Sequence, residues 1–230
     1  MPEKTAPARN PRRQSWKQDP EAVRADILRA ATEEFAAKGF KGTRIDDIVA
    51  RTQTSKRMIF YYFDDKDTLY RTVLEQAYSR IRTHEAALDL TGLPPEKALA
   101  RLVAFTFEYH RQDPDFIRLV MIENIHRARQ LKASDSVAHE NAQAIERLST
   151  LIDEGIAAGR FRADLDPLEL HWLISALSFH NVSNMFTFQH IFGDALHSKA
   201  GQHTLCRHVV STVLRSVLID THDIDTLLDD

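Results

Sequence analysis

Three aspartate–proline steps, Asp19-Pro20, Asp113-Pro114 and Asp166-Pro167, each stand immediately before a run whose apolar residues recur at three- and four-residue spacing. Aspartate caps the free N–H groups of a first helical turn, and proline at the first helical position gives up no hydrogen bond, so each step marks a helix start. After the first of them Val23, Ile27, Ala31 and Phe35 form an i, i+4 stripe that stops at Gly39, and Phe40 is placed to fold back on it. Further helices are expected over 95–110 after the Leu93-Pro94-Pro95 break, over 114–127, over 136–158 closed by Gly159, over 167–186 and over 198–219. Residues 102–107 are apolar on every side, as suits a helix enclosed by others. No strand alternation, internal repeat or phosphate-binding glycine loop stands out, and seven glycines leave little material for one. The expected fold class is all-α.

Between Thr43 and Tyr78 the helices shorten. Thr43-Arg44-Ile45-Asp46 has capping-box spacing, with Asp in place of Glu, and opens a short helix with Ile45, Ile48 and Val49 inward that ends near Thr52. Thr54 or Ser55 caps a second, with Met58, Ile59 and Phe63 apolar, and Asp64-Asp65 caps a longer one through Leu69, Val73, Leu74 and Tyr78. One long helix followed by two short ones across a tight turn is the helix-turn-helix plan. An isolated helix needs roughly 12–15 residues to persist in water, so the second short helix is held by its neighbours and its outer side is free for another task. In this plan that helix enters the DNA major groove. Lys56 and Arg57 fall in its first turn, away from Ile59 and Phe63; Tyr61 and Tyr62 offer hydroxyl groups to phosphate oxygens, and Lys66 adds a cation at the next helix start. Charge agrees: residues 1–66 carry 14 Lys/Arg against 10 Asp/Glu, whereas the remainder carries 16 against 23. A basic third on an acidic body calls for an anionic partner of that third.

Residues 24–78, RADILRAATEEFAAKGFKGTRIDDIVARTQTSKRMIFYYFDDKDTLYRTVLEQAY, resemble the DNA-binding region of TetR/AcrR-type transcriptional regulators. The likeness lies in the Ile-Leu-x-Ala-Ala-x-x-x-Phe helix, the Lys-Gly-Phe corner, the Gly-Thr start of the next helix, Asp-Ile, Ser-Lys, a Tyr-Phe pair and Lys-x-x-Leu. It implies DNA contacts from Thr43, Arg44, Ser55, Lys56, Arg57, Tyr61, Tyr62 and Lys66. Two positions depart from the pattern. Thr52-Gln53-Thr54 stands where the family has Ala-Gly-Val, which expects Gln53 to take a glycine-like positive φ at a cost of about 1 kcal/mol. Phe60 stands where a phosphate-contacting tyrosine is common, and it has no proton to donate.

For the rest of the chain the resemblance implies a helical ligand-binding and dimerisation domain whose last two long helices form a four-helix bundle with a partner. Residues 159–177 are similar to the family's lead into the first of these, and 198–219 would be the second. A homodimer suits a palindromic operator, whose half-sites lie about 34 Å apart. A small-molecule effector is expected in a cavity bounded by helices between Leu69 and Leu177, with Phe107, His110, Phe116, Met121, Asn124, Trp172 and Phe179 as candidate lining and Asn124 or His110 as the polar handle. The expected division is a disordered basic arm over 1–18, a helix-turn-helix domain over 19–66, a ligand-binding and dimerisation domain over 67–222 and an acidic tail over 223–230. The expected function is that of a ligand-responsive DNA-binding regulator, a repressor released from its operator by a small molecule.

Other functions find less support. The eleven histidines suggest a metal-responsive regulator as runner-up, but His203 and His208 are five apart and splay by about 140° on a helix, and His171 has Glu169 on another face. His180 and His197 are near only in sequence, and no metal site or cofactor is expected. A single cysteine, Cys206, excludes an internal disulfide and a cysteine-based zinc site. No nucleophile elbow, HExxH or paired-carboxylate motif points to an enzyme. A helical protein-binding adaptor leaves the basic reading segment unexplained. The N-terminus lacks a signal-peptide core and no run of about 18 apolar residues exists, so no membrane association and a cytoplasmic location are expected.

Overall fold

The computed structural model describes residues 19–222 and Ile224; the arm expected over 1–18 and, Ile224 apart, the tail expected over 223–230 lie outside the described residues. Within them the chain forms ten α-helices and no strand: α1 (Pro20–Gly42), α2 (Ile45–Ala50), α3 (Lys56–Phe63), α4 (Lys66–Ala86), α5 (Pro95–Gln112), α6 (Pro114–Ile125), α7 (Asp135–Ala157), α8 (Pro167–Ser183), α9 (Met185–Phe192) and α10 (Lys199–Val217). The chain divides into two compact units between Val73 and Leu74, inside α4, whose first residue is the one at which the sequence boundary was expected.

The three aspartates cap as their spacing demands. Asp19 Oδ1 accepts from the N–H groups of Glu21 and Ala22, Asp113 Oδ1 from Phe116, and Asp166 Oδ1 from Leu168 and Glu169. At Gly39 the backbone of α1 turns to φ 71°, ψ 172°, and Phe40 returns to within 6.3 Å of the Phe35 ring and 5.2 Å of Tyr70. The helix expected over 167–186 stops earlier, at Ser183: Asn184 takes a non-helical ψ of 5°, and α9 starts afresh beyond it. No glycine or proline announces that break.

In the N-terminal unit a buried carboxylate joins α1 to α2. Glu34 receives Lys38 Nζ at 2.6 Å and Arg51 Nε at 2.5 Å, while Lys38 also reaches Asp47 at 3.1 Å and Arg51 reaches Glu33 at 3.3 Å. Arg29 closes the group, donating to Glu33 at 2.9 Å and to the Arg51 carbonyl at 3.1 Å. Losing one partner of a buried pair leaves the desolvation uncompensated, although the half-exposed cations can rehydrate here. Glu34→Gln is therefore expected to cost about 2 kcal/mol and to lower the thermal midpoint by roughly 4–8 °C, read by circular dichroism.

In the C-terminal unit α5 is the central element, with α7, α8 and α10 packed against it around Leu99, Val103, Phe107, Leu148, Ile174 and Val213. Asn181 on α8 and Gln202 on α10 exchange reciprocal amide hydrogen bonds of 2.9 and 3.0 Å inside this packing.

Candidate functional site

The Ser55 hydroxyl accepts from the Met58 N–H at 3.4 Å, so α3 has the cap that its sequence promises. Ile59 and Phe63 are buried, and Arg24 lies over the Phe63 ring at 5.4 Å. With the apolar side fixed, Lys56, Arg57, Phe60 and Tyr61 are left outward, Tyr61 at 75% exposure. Lys56 Nζ pairs with Asp46 at 3.0 Å across the turn; both groups are exposed, so the pair is weak and yields readily to a stronger anion. Tyr61 meets Tyr62 edge-on at 5.3 Å, and Tyr62 is half-buried. Lys66 is turned over the Phe40 ring at 4.5 Å, and burial lowers its pKa below the usual lysine range. Arg44 is exposed at the N-cap of α2, and its own side chain makes no cap bond.

Two expectations are corrected. Thr43 is buried: its hydroxyl donates to the carbonyls of Glu34 and Gly39 at 3.0 and 2.9 Å, and its N–H bonds Gly39 at 3.2 Å, so every donor it owns closes the end of α1. It has nothing to offer a phosphate, and the capping box expected from it is not formed. Gln53 does not take a positive φ. Its N–H bonds Asp26 Oδ2 at 3.1 Å, and the left-handed residue lies instead at Asp64, φ 57°, directly after α3.

The C-terminal unit brings together some of the expected lining and not the rest. Phe107, His110 and Phe116 are buried and Phe179 is half-buried; the His110 ring lies 5.8 Å from Phe116 and 6.5 Å from Phe179. Met121, Asn124 and Trp172 are exposed, contrary to expectation. Asn124 spends its amide on the Val120 carbonyl at 2.9 Å, while its neighbour Glu123 turns inward and accepts from the N–H groups of Gln130 and Leu131. α6 is apolar nearly all round, so its inner face could not be read from period alone.

Sequence reasoning missed Arg82 and Ser178 and weighed His171 only as a metal ligand. His171 and Ser178 are seven apart and so share a side of α8, the only local signal that could have linked them. Burial, and after it the Arg82 charge, push both His110 and His171 down to about 4, so both imidazoles are neutral at pH 7. Two open grooves of about 640 and 860 Å³ lie elsewhere in this unit, one beside Leu168 and Trp172 and the other between α5 and α10. Among the described residues no three His, Cys, Asp or Glu side chains come together as a metal would require, and no helix is long and apolar enough to cross a membrane.

Residues 27–73 match the family model of bacterial regulatory proteins of the tetR family, and residues 95–213, about half of the chain, match the tetracyclin repressor-like C-terminal domain. The chain belongs to the TetR family of transcriptional regulators. It is a DNA-binding helix-turn-helix protein, and its family functions as dimers. Over 170 residues it is 34% identical to the HTH-type transcriptional repressor NicS of Pseudomonas putida, covering 74% of this chain and 80% of that repressor. It is 30% identical to the HTH-type transcriptional regulator RutR of Escherichia coli K12, over 69% of this chain and 73% of RutR. Solved TetR-type folds superpose on it: a tetR-family regulatory protein from Rhodococcus RHA1 with a TM-score of 0.68 at 19% identity, covering 86% of this chain and 98% of that one, and a gamma-butyrolactone receptor (ArpA-like protein) with a TM-score of 0.61 at 18% identity, covering 91% and 96%.

Proposed function

We propose that the protein is a repressor that binds a palindromic operator as a homodimer, reading each half-site with α3, and leaves it when a small molecule enters the C-terminal unit. The observation that carries the DNA reading is the outward set Lys56, Arg57 and Tyr61 on a helix whose opposite side, Ile59 and Phe63, is locked in the core. Arg44, Ser55, Tyr62 and Lys66 complete the contact set; Lys66 must leave Phe40 in part to reach a phosphate. Repression follows from the likeness to the repressor NicS, and the dependence on a ligand from the likeness to the gamma-butyrolactone receptor. A ligand displaces the operator only if it favours the DNA-incompetent state, and about 1.4 kcal/mol of coupling gives a tenfold release.

Of the two helices expected in the dimer, α8 and α10, it is α8 whose surface supports the reading. The core side of α8 carries Leu170, Ile174, Ser178 and Asn181, yet Leu168 and Trp172 on its other side are 63% and 70% exposed, and Ile219 just beyond α10 is 64% exposed. Phe186, Ile191 and Phe192 on α9 extend the same apolar character. Apolar surface of this kind on a soluble chain marks an interaction site.

Fluorescence anisotropy on DNA from upstream of the protein's own gene tests the reading. Log affinity is expected to fall linearly with log salt. Arg57→Ala should cost about 1–3 kcal/mol on the preferred site and blur base preference, whereas Lys66→Ala should weaken all sequences alike and reduce the salt slope by about 1. An Arg57→Ala protein with unchanged affinity and unchanged preference removes α3 as the reading helix.

A further inference from the structure

The buried polar atoms of the C-terminal unit that have no hydrogen-bond partner among the described residues include three on three different helices: Arg82 Nε on α4, His110 Nδ1 on α5 and Ser178 Oγ on α8. Ser178 is fully buried and His110 is 5% exposed. More than nine in ten buried polar groups are paired in folded proteins, so three such atoms in one region describe a place that expects a ligand. They share a region: Phe116 packs against Tyr78, one turn before Arg82 on α4, and against His110, while His110 also meets Phe179, the neighbour of Ser178 on α8. Aromatic rings flank them, with Phe116 and Phe179 at 5.8 and 6.5 Å from the imidazole and Tyr78 edge-on to Phe116 at 5.3 Å.

The charge balance of this region selects the ligand. Arg82 pairs with Glu85 at 2.5 Å, but Arg147 also lies 3.7 Å from Glu85, so two guanidinium groups share one carboxylate. Glu123 on α6 is turned to backbone N–H groups, and burial keeps the Tyr78 and Tyr109 phenols protonated. The charge acting on both imidazoles is thus the positive one of Arg82. Arg82 Nε–H is a donor, the Ser178 hydroxyl can donate, and a neutral imidazole becomes a second cation once an anion stands beside it.

We propose that Arg82, His110 and Ser178 form the anchoring end of the effector site and that the effector is a small organic carboxylate whose apolar body lies against Tyr78, Phe116 and Phe179. This rests on the effector reading above and names its ligand class. Charge-assisted hydrogen bonds from Arg82 and the imidazole hold the carboxylate, and the rings take the rest of the molecule. Proton linkage follows with a definite sign. His110 is neutral without ligand because its pKa is about 4; a bound carboxylate raises that value, so binding takes up a proton between the two values and affinity falls as pH rises through this window.

Calorimetry on the full-length protein with benzoate and phenylacetate, and with benzamide and phenylacetamide as their uncharged counterparts, tests the class. The acids should bind at least tenfold more tightly than the amides, and at least threefold more tightly at pH 5.5 than at pH 7.5. Arg82→Gln should abolish the preference for acids, and Ser178→Ala should weaken acid binding at least threefold. The proposal is overturned if amides bind as tightly as acids in the unaltered protein, if Arg82→Gln leaves the preference intact, or if none of the four binds. Operator anisotropy separates the two readings. Acids that bind with these signatures yet leave DNA affinity unchanged sink the effector reading and keep the carboxylate site; amides that release DNA better than acids sink the carboxylate and keep the effector.

Discussion

Trp172→Asp is expected to yield a folded protomer that elutes as a monomer and binds the operator about 10²- to 10⁴-fold more weakly than the unaltered protein. The size of the effect comes from linkage between two reading heads. Once one α3 is seated, the second meets its half-site at a high effective concentration, and cutting that tie forfeits the gain without touching any DNA contact. Trp172 suits the test because its side chain is 70% exposed in the protomer, so an aspartate there can be hydrated and the fold has little reason to fail. In a dimer interface the same carboxylate would be driven into an apolar surface beside Leu168. Light scattering reads the mass and anisotropy reads the affinity. The monomer should also show about half the salt slope, since it neutralises half as many phosphates. A Trp172→Asp protein that remains a dimer at micromolar concentration would move the interface away from α8.

What the sequence revealed and what it concealed divide by range. Helix starts at Asp19, Asp113 and Asp166 and the turn at Gly39 were legible because a cap or a glycine acts on residues within four positions. The outer side of α3 was legible for the same reason: Ile59 and Phe63, four apart, fix which way Lys56, Arg57 and Tyr61 face. Thr43 misled because its partner is nine residues back, and a hydroxyl that looks like a helix cap proves to close the previous helix. Met121 and Asn124 misled because α6 gives no period to tell inside from outside, so its one buried acid, Glu123, decides the face instead. Of the polar cluster only His110 was named from the sequence. Arg82, His110 and Ser178 sit on three helices far apart in sequence, and only the packed state, through the rings of Tyr78, Phe116 and Phe179, brings them to one place.

The C-terminal unit has its own sharp test at the end of α7, where two glycines stand four residues apart for different reasons. Gly159 takes φ 68° with open space where a side chain would begin, so Gly159→Ala should cost only the backbone penalty of about 1 kcal/mol. Gly155 is helical, but a Cβ there would fall within the Phe161 ring. That ring has no easy retreat. It is 1% exposed, and its strand-like bridge to Leu218 is held by Arg162 N–H to the Val217 carbonyl at 2.9 Å and by Ile219 N–H to the Arg160 carbonyl at 3.0 Å. Moving the ring would loosen the link that ties the end of α7 to the end of α10, so Gly155→Ala is expected to cost about 3 kcal/mol, at the upper end for overpacking. Phe161→Ala should cost about 3–5 kcal/mol through the cavity it leaves. Combined, the two should fall short of additivity by at least about 1 kcal/mol, because the new methyl enters space that the missing ring has vacated. Urea unfolding of the single and double variants measures that coupling, and strict additivity would mean that the Gly155 substitution is felt somewhere other than at the Phe161 ring.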